Sequence, residues 1–418
     1  MFDNNESLLP NVKDLPVLVV GTETDSLDEL ERLLTTLGVK PVGRIEAVIK
    51  KIHPGTYIGK GKIDQIKLLM EEKGAGAVIM DMELSPNQLR NLETEITKPI
   101  LDRPGVIIEI FSRHARTKES KTQVALARLQ YLLPRLAHFW SHFERQRGGG
   151  TGQRGMGEKQ IEVDRRLVKD RISVLKSRLT SIEKERNVQR SGRKDVLKVA
   201  LVGYTNAGKS TLLNAMTKSH VLAEDKLFAT LDASVRTLDP HCHPPIVAID
   251  TVGFISKLPP SLVASFRSTL EELREADLLV HVIDASSPRA SDQFRVTEEV
   301  LNELEVGDKP KIYVLNKADC LKTVGEKNRV KIIVPGAMLV SAFDKADMKR
   351  LMDQILLHFH KNLEVWEVLI PYEESKLESQ IYAHGSVEVN RHMKKGNFLR
   401  VRIEDEWAKK LGLEKFKL

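Results

Sequence analysis

Cysteine is scarce in this sequence: only Cys242 and Cys320 occur among 418 residues. Two cysteines form no disulfide framework, so a reducing cytoplasm is the expected compartment. Long apolar runs are also lacking, since a segment such as Leu278–Ile283 is far shorter than the about 20 residues that span a bilayer. The acidic, polar N-terminus has no secretory pattern. We therefore expect a cytoplasmic protein without a membrane span, for which loose membrane association stays open.

Basic charge is concentrated in the middle of the chain. The formal net charge is +7, but residues 111–200 hold 22 Lys and Arg against 9 Asp and Glu, a local net charge of +13. The rest of the chain must then carry −6. A basic middle between acidic flanks favours contact with a polyanion. The alternative is a charged helix surface that meets only water.

Alternating strand and helix patterns predict an α/β protein of several domains. The predicted segments are a flexible N-terminus at 1–14, a small α/β subdomain with a mainly parallel sheet at 15–112, an antiparallel helical hairpin at 113–194, a larger doubly wound α/β domain at 195–363 and a small α+β domain at 364–418. Val106–Phe111 is the predicted last strand of the first sheet.

The hairpin is predicted from apolar residues that recur at steps of three and four. Pro134 falls within its first helix and should kink or break it. The connector, residues 145–160, contains six glycines between Gly148 and Gly157, too many to hold a helix. We expect a stiff arm with a flexible, basic tip.

Residues Gly203–Ser210 match the phosphate-binding pattern G-x-x-x-x-G-K-[ST]. An apolar strand precedes the motif and a helix pattern follows it, which is the context that a P-loop requires. Lys209 is placed to bridge the β- and γ-phosphates, and the Ser210 hydroxyl to bind Mg²⁺. The predicted nucleotide contacts of this loop are Gly203, Tyr204, Thr205, Asn206, Ala207, Gly208, Lys209, Ser210 and Thr211.

Two further segments complete the predicted phosphate site. Asp250 ends an apolar strand in the sequence DTVG, where its carboxylate can reach Mg²⁺ through water and the Gly253 N–H can meet the γ-phosphate. Thr230 in FATLD is the candidate switch threonine, and Phe228 in the same segment is a candidate nucleotide contact. We expect catalysis to depend on Lys209, Thr230 and Gly253. The predicted Mg²⁺ ligands are Ser210, Thr230 and Asp250.

A second motif, NKAD, predicts guanine as the base. Asp319 can accept hydrogen bonds from the ring N–H and the exocyclic amine of guanine, whereas adenine would leave the carboxylate unpaired. Asn316 would tie this loop to the phosphate loop, and the Lys317 stem can lie along the purine. Ser341 and Ala342 follow another predicted strand and could supply a backbone N–H to the base oxygen.

The residue after Gly253 sets the expected rate of hydrolysis. Ras-like GTPases carry a glutamine there that orients the attacking water, whereas this sequence has Phe254. A phenyl ring can neither donate nor accept the required hydrogen bond. We therefore expect slow intrinsic GTP hydrolysis that a partner accelerates by reshaping the switch segments.

With these motifs in place, the chain resembles the HflX-type GTPases, a ribosome-associated branch of the P-loop GTPases related to translation factors. The resemblance rests on TYIGKGK, LSPNQLRNLE, LDRPGVIIEIFSRHARTKESKTQVALARLQYLLPRL and GGGTGQRGMGEKQIEVDRR, and then on FATLD, DTVGF and NKAD. Pro104 and Lys159 stand where such proteins commonly have threonine, and the residues after Ser341 and Ala342 lack a glycine often found there. None of these departures removes a catalytic position.

The resemblance implies a GTP-hydrolysing factor that binds the large ribosomal subunit and helps to split or recycle stalled ribosomes under stress. GTP and GDP are the expected ligands, Mg²⁺ is the expected cofactor, and a monomer is the expected state. In such proteins the glycine-rich tip reaches toward the peptidyl-transferase centre. The expected rRNA contacts are Arg145, Arg147, Gly148, Gly149, Gly150, Arg154 and Lys159.

Two other functions stay open from the sequence. One is a GTP-regulated rRNA-binding module for antiassociation or ribosome assembly, in which hydrolysis serves only release. The other is a small-GTPase-like switch for a protein or membrane partner. The C-terminal sequence KFKL has no lipidation cysteine, which counts against the second.

Overall fold

The computed structural model describes residues 15–49, 51–136, 154–191, 196–217, 227–228, 234–239, 245–257, 272–361 and 363–418. The chain forms two compact units. The first comprises Met1–Asn187, Asp225–Asp232 and Lys257–Ser268, and the second comprises Val188–Glu224, Ala233–Ser256 and Thr269–Leu418. No helix within the described ranges is both long and apolar enough to cross a membrane. The finer domain bounds drawn from the sequence stay predictions.

The first unit is built on a small parallel sheet. Its strands are β1 (Val17–Gly21), β2 (Pro41–Glu46), β3 (Ala77–Met80) and β4 (Ile100–Asp102), in the order β2-β1-β3-β4. Its helices are α1 (Thr24–Thr36), α2 (Lys60–Lys73), α3 (Pro86–Ile96), α4 (Arg103–His114), α5 (Lys118–Leu132) and most of α6 (Arg154–Ser191). Strands β1, β3 and β4 are buried along their whole length, as is usual in parallel sheets with both faces covered. The predicted parallel α/β subdomain is confirmed.

The prediction that Val106–Phe111 forms a strand is wrong, because these residues lie inside α4. The true strand, β4, ends at Asp102, whose carboxylate caps α4 by accepting a hydrogen bond from the Gly105 N–H (3.1 Å). Pro104 in the first turn suits a helix N-terminus. Most of α4 is buried, so Val106–Phe111 is an apolar run interrupted only by Glu109, which periodicity cannot distinguish from a buried strand.

The helical arm differs from the prediction at its connector. Helix α6 begins at Arg154, so Gly155 and Gly157 lie in its first turns, and the non-helical prediction for residues 145–160 is wrong at its C-terminal end. Good helix formers downstream allow a helix to extend over glycines that cost about 1 kcal/mol each. The predicted break at Pro134 is confirmed, since α5 ends two residues earlier and a 3₁₀ turn follows.

A buried charged cluster lies after the carboxyl end of β3 in the first unit. The Arg103 side chain has no exposed surface and pairs with Asp81 (Nη1–Oδ1 2.6 Å) and with Glu29. The Lys257 ammonium donates to Asp81 Oδ2 (3.0 Å) and Ser26 Oγ (2.8 Å). Each buried charge therefore has an opposite charge beside it, which offsets the cost of removing both from water.

Glu93 in α3 should make the first unit less stable at alkaline pH. Burial raises the pKa of Glu93 to about 7, although the Ile100 N–H donates to its carboxylate (3.1 Å) and opposes the rise. The folded state thus keeps a proton that the unfolded state releases above its pKa of 4.5, so the free energy of unfolding should fall between about pH 4.5 and 7. We expect Glu93→Gln to raise the melting temperature at pH 8, because it removes the free-energy cost of ionising the buried carboxyl, about 3 kcal/mol at most. At pH 5 the rise in melting temperature should be far smaller.

Glu95→Gln is the matched control for this prediction, because Glu95 lies on the exposed side of the same helix. Calorimetric melting of the wild type and both variants at pH 5 and pH 8 measures the effect. Equal shifts for the two variants at both pH values would mean that burial does not set the Glu93 pKa.

The second unit contains a six-stranded sheet. Its strands are β5 (Leu197–Gly203), β6 (Ser234–Asp239), β7 (Ile246–Asp250), β8 (Leu278–Asp284), β9 (Lys311–Asn316) and β10 (Met338–Leu339), in the order β10-β9-β8-β5-β7-β6. All neighbours run parallel except β6 and β7. The helices of this part are α7 (Lys209–Thr217), α8 (Ala290–Glu303), α9 (Val324–Ile333) and α10 (Lys345–His360). Separate apolar cores cover the two faces, which confirms the doubly wound prediction.

The C-terminal part of the second unit is a small α+β fold, as predicted. It consists of strands β11 (Leu363–Ile370), β12 (Ser386–Met393) and β13 (Gly396–Glu404) with helices α11 (Ser375–His384) and α12 (Asp405–Lys410). The three strands are antiparallel in the order β11-β13-β12, and an apolar core that includes Trp366 and Leu399 covers one face.

Candidate nucleotide site

The phosphate loop joins the end of β5 to the start of α7. Gly203 (φ +149°) lies so close to the neighbouring strand that a Cβ atom would stand 2.1 Å from the Val282 carbonyl oxygen. A Cβ atom on Gly208 (φ +91°) would stand 2.3 Å from Asn316 Nδ2. Both glycines are therefore needed for close packing in conformations that other residues rarely adopt. The loop leads into the N-terminus of α7, which favours anions.

Lys209 is held within this loop. Its ammonium donates to the Gly203 carbonyl (3.0 Å) and the Tyr204 carbonyl (2.8 Å), and only 6% of the residue is exposed. Burial lowers the pKa of Lys209 to about 8, and the nearby Asp250 carboxylate partly opposes this shift. Phosphate oxygens would favour the charged form in the same way. The first residue of α7 can therefore present a positive charge to an anion in the loop.

Ser210 and Asp250, two of the predicted Mg²⁺ ligands, meet beside this lysine. The Ser210 hydroxyl donates to Asp250 Oδ2 (2.6 Å), and Asp250 at the end of β7 has no exposed surface. A hydroxyl and a carboxylate are hard oxygen ligands of the kind that Mg²⁺ prefers. The donor chemistry of this pair therefore fits a magnesium ion next to a phosphate.

The segment after Asp250 is hydrogen-bonded to the phosphate loop. The Phe254 N–H donates to the Gly203 carbonyl (3.1 Å), and the Phe254 carbonyl accepts from the Thr205 N–H (2.7 Å). The Ser256 N–H donates to the Tyr204 hydroxyl (2.7 Å). At Gly253, a Cβ atom would stand 2.7 Å from the Thr205 Cα atom, so only glycine fits there. This backbone pairing between two separate motifs was not predicted from the sequence.

Three side chains of the NKAD motif each have a partner from a different element. Asn316 Nδ2 donates to the Ala207 carbonyl (2.9 Å), which ties the base loop to the phosphate loop as predicted. The Ser341 hydroxyl donates to Asp319 Oδ1 (2.6 Å), and this hydrogen bond lowers the pKa of Asp319. The third side chain, Lys317, pairs with a carboxylate on the neighbouring strand. The motif therefore forms a fixed arrangement of polar groups.

Two aspartates at the base loop were not predicted from the sequence. Asp284 Oδ2 accepts from the Lys317 ammonium (2.8 Å), and Asp347 Oδ2 accepts from the Ser341 N–H (2.9 Å). Because Asp347 engages the Ser341 N–H, the Ala342 N–H is the better candidate donor to the base oxygen. Asp284 ends the strand next to β9, so the rule that parallel strands meet at their carboxyl ends could have identified it.

Several predicted site residues lie outside the described residues or in the first unit. Thr230, Arg145, Arg147 and Gly148–Gly150 are outside them, and for Arg154 and Lys159 only the backbone of α6 is described. Phe228 packs edge-on against Phe111 in the first unit, with ring centroids 4.7 Å apart. A nucleotide contact of Phe228 stays a prediction.

Known proteins similar to this chain agree with the motifs. Over 391 residues, it is 41% identical to a GTPase HflX of Caldanaerobacter subterraneus subsp. tengcongensis, and the match covers 93% of this chain and 90% of that protein. A GTPase HflX of Escherichia coli (strain K12) is 40% identical over 369 residues, which covers 88% of this chain and 86% of that protein. The chain belongs to the HflX family of GTPases.

Family models match three successive regions of this HflX-family chain. They are described as GTP-binding GTPase N-terminal (residues 24–112), GTP-binding GTPase Middle Region (114–193) and 50S ribosome-binding GTPase (198–317). A solved GTP-binding protein from Sulfolobus solfataricus in complex with GDP is 24% identical with a TM-score of 0.44, covering 81% of this chain and 99% of that one. The curated relatives and the family models confirm the HflX resemblance, and the protein is a GTPase.

Proposed function

We propose that this GTPase binds the large ribosomal subunit in the cytoplasm and, with GTP bound, promotes the splitting or recycling of stalled ribosomes under stress. The proposal depends above all on Phe254, which stands where hydrolysis needs a water-orienting group and is 6% exposed. A site with complete phosphate and base loops but a phenyl ring at this position suits a GTPase that waits for a partner. The description of the matching model, 50S ribosome-binding GTPase, supports the large subunit as that partner.

The proposed roles of the residues around the phosphates are based on the positions of the phosphate loop and the segment after Asp250. Lys209 binds the β- and γ-phosphates, and Gly253 donates its N–H to the γ-phosphate. Ser210 and Asp250, with Thr230, would hold Mg²⁺, which supplies positive charge to the phosphate oxygens during hydrolysis. The proposed nucleotide contacts are Gly203–Thr211 and Phe228 at the phosphate side and Asn316, Lys317, Asp319, Ser341 and Ala342 at the base.

The basic arm is the proposed rRNA-binding element. The region 111–200 carries the local net charge of +13, and contacts between Lys or Arg and phosphates release counterions. Its tip residues Arg145, Arg147, Arg154 and Lys159 are the proposed phosphate or base contacts, and Gly148–Gly150 permit close approach of the backbone. Binding to large subunits should therefore weaken steeply with rising salt concentration.

Shortening the glycine-rich tip tests this function most selectively. A chain that lacks residues 148–153, which precede α6, should bind GTP and GDP as the wild type does but fail to split ribosomes in a sedimentation assay. An equal-length replacement of these residues by a Gly-Ser linker is the control that keeps the spacing. If the shortened chain splits ribosomes at the wild-type rate, the proposed role of the arm is wrong.

The alternative is a GTP-regulated rRNA-binding module in which hydrolysis serves only release. The same basic region favours it. The two functions differ in their need for turnover: in the alternative, a protein that binds GTP but cannot hydrolyse it would still separate subunits as well as the wild type.

A further inference from the structure

Asp284 stands at a position from which it can control the base loop. It is the last residue of β8, and in the parallel pairing of β8 with β9 it lies opposite Asn316, the first residue of the NKAD motif. The Ala285 N–H donates to the Asn316 carbonyl (2.9 Å), so the two chains stay joined just beyond the strands. The residue after Asn316 is Lys317, which adopts the left-handed conformation (φ +63°) that non-glycine residues rarely take.

Both carboxylate oxygens of Asp284 are engaged. Oδ2 accepts from the Lys317 ammonium at 2.8 Å. Oδ1 accepts from the Ser286 N–H (2.9 Å) and the Ser286 hydroxyl (2.6 Å). The Lys317 and Asp284 side chains are only 27% and 16% exposed, so water screens the ion pair less than it would at an open surface. Asp284 is therefore oriented by its own loop before it meets the lysine.

We propose that Asp284 is a positioning residue for nucleotide binding. By pairing with the Lys317 ammonium, it holds the aliphatic part of the Lys317 side chain along the face of the purine ring. A lysine side chain loses much rotational freedom when it is fixed against a ring, and an oriented partner at its end removes part of that cost before the nucleotide arrives. The other two NKAD side chains already have such partners in Ala207 and Ser341. Asp284 supplies the third partner, the one for Lys317. This inference rests on the proposed role of Lys317 at the base.

The chemistry of the purine predicts which measurements Asp284 affects. The Lys317 stem meets the face of the ring, whereas Asp319 reads the ring N–H and the exocyclic amine. Asp284→Asn should therefore weaken GTP, GDP and ITP binding by the same factor, about tenfold, because ITP lacks only the exocyclic amine. The GTP-to-ITP preference should not change, and neither should kcat at saturating GTP, since the contact acts equally before and during hydrolysis.

A double-mutant cycle with the full-length protein tests the proposal. Dissociation constants for fluorescently labelled GDP, with GTP and ITP as competitors, are measured for Asp284→Asn, Lys317→Met and the double variant. If Asp284 acts through Lys317, adding Asp284→Asn to Lys317→Met has no further effect. Asp284→Glu should restore part of the affinity, and Asp292→Asn, at an exposed aspartate of α8, should bind as the wild type does.

Three outcomes would overturn the proposal or its basis, and they are distinguishable. Additive effects in the cycle would show that Asp284 does not act through Lys317. A lower GTP-to-ITP preference in Asp284→Asn would show that the whole base loop has shifted, which is a structural role only. If Lys317→Met itself leaves the affinity unchanged, the proposed role of Lys317 fails, whatever Asp284 does.

Discussion

Replacing Lys209 with alanine is expected to lower GTP hydrolysis by at least about a thousandfold. The ammonium lies inside the phosphate loop, where the Gly203 and Tyr204 carbonyls hold it beside the start of α7. Only 6% of Lys209 is exposed, so its charge acts in a site with little water and loses little to screening. Truncation would remove the charge that the proposed mechanism places between the β- and γ-phosphates as negative charge develops.

Phosphate release under single-turnover conditions measures this effect. The matched control is Lys198→Ala, because Lys198 lies near the other end of the same strand, β5, and pairs with Glu275 (2.7 Å). The control should keep the wild-type rate. More than a tenth of the wild-type rate in Lys209→Ala would be incompatible with the proposed role of this lysine.

Asp319→Asn should change the preferred base from guanine to xanthine. The carboxylate accepts from two donors on guanine, whereas an asparagine amide offers one acceptor and one donor, which matches the ring N–H and the additional carbonyl of xanthine. Asparagine can still accept the hydrogen bond from the Ser341 hydroxyl, so the loop geometry should survive the change. We expect GTP affinity to fall at least about a hundredfold and XTP affinity to rise, since polar sites reject mismatched partners strongly.

Competition binding with GTP, XTP and ATP measures this change of preference. Asp308→Asn is the control, because Asp308 is an exposed aspartate of the same unit. A variant that loses GTP binding without gaining XTP binding would show only that the loop is damaged. A variant that still prefers GTP would contradict the assignment of Asp319 as the residue that reads the base.

Three strands of the large sheet could be predicted to the residue. The apolar patterns in the sequence predict strands at Ile246–Asp250, Leu278–Asp284 and Lys311–Asn316, and the structure has the same bounds. Strands in the middle of a parallel sheet are covered on both faces, so each is a short apolar run that ends at a polar residue. Residues of the nucleotide site lie at these polar strand ends. Asp250 and Asn316 could therefore be predicted together with the strands that they end.

Elements without such a pattern were missed or misread. β6 (Ser234–Asp239) is an antiparallel edge strand with exposed side chains, and β12 has almost no buried positions, so neither shows an apolar run. The apolar run Val106–Phe111 was misread because a helix that is buried over most of its surface loses its periodicity. In each case the burial of a segment depends on neighbours that are distant in sequence.

Site residues within contiguous motifs could be predicted from the sequence, whereas those linked to the site by strand pairing were not. Motifs identify Lys209, Ser210, Asp250 and Asp319 because each motif is contiguous, and the structure brings Ser210 and Asp250 within hydrogen-bond distance. Asp284 belongs to no motif, and its role depends on the lateral pairing of two strands. Its place at the carboxyl end of a strand marks it as a candidate, and the strand order in the structure connects it with the base loop.

In the proposed mechanism, the ribosome switches on a GTPase that is slow by itself because Phe254 replaces a water-orienting group. The most direct test is the steady-state rate of GTP hydrolysis by the purified chain with and without large ribosomal subunits. We predict an increase of at least about tenfold with large subunits, lost at high salt as basic contacts to rRNA are screened. Rapid hydrolysis by the isolated chain, with no response to large subunits at low salt, would show that the ribosome does not activate this GTPase.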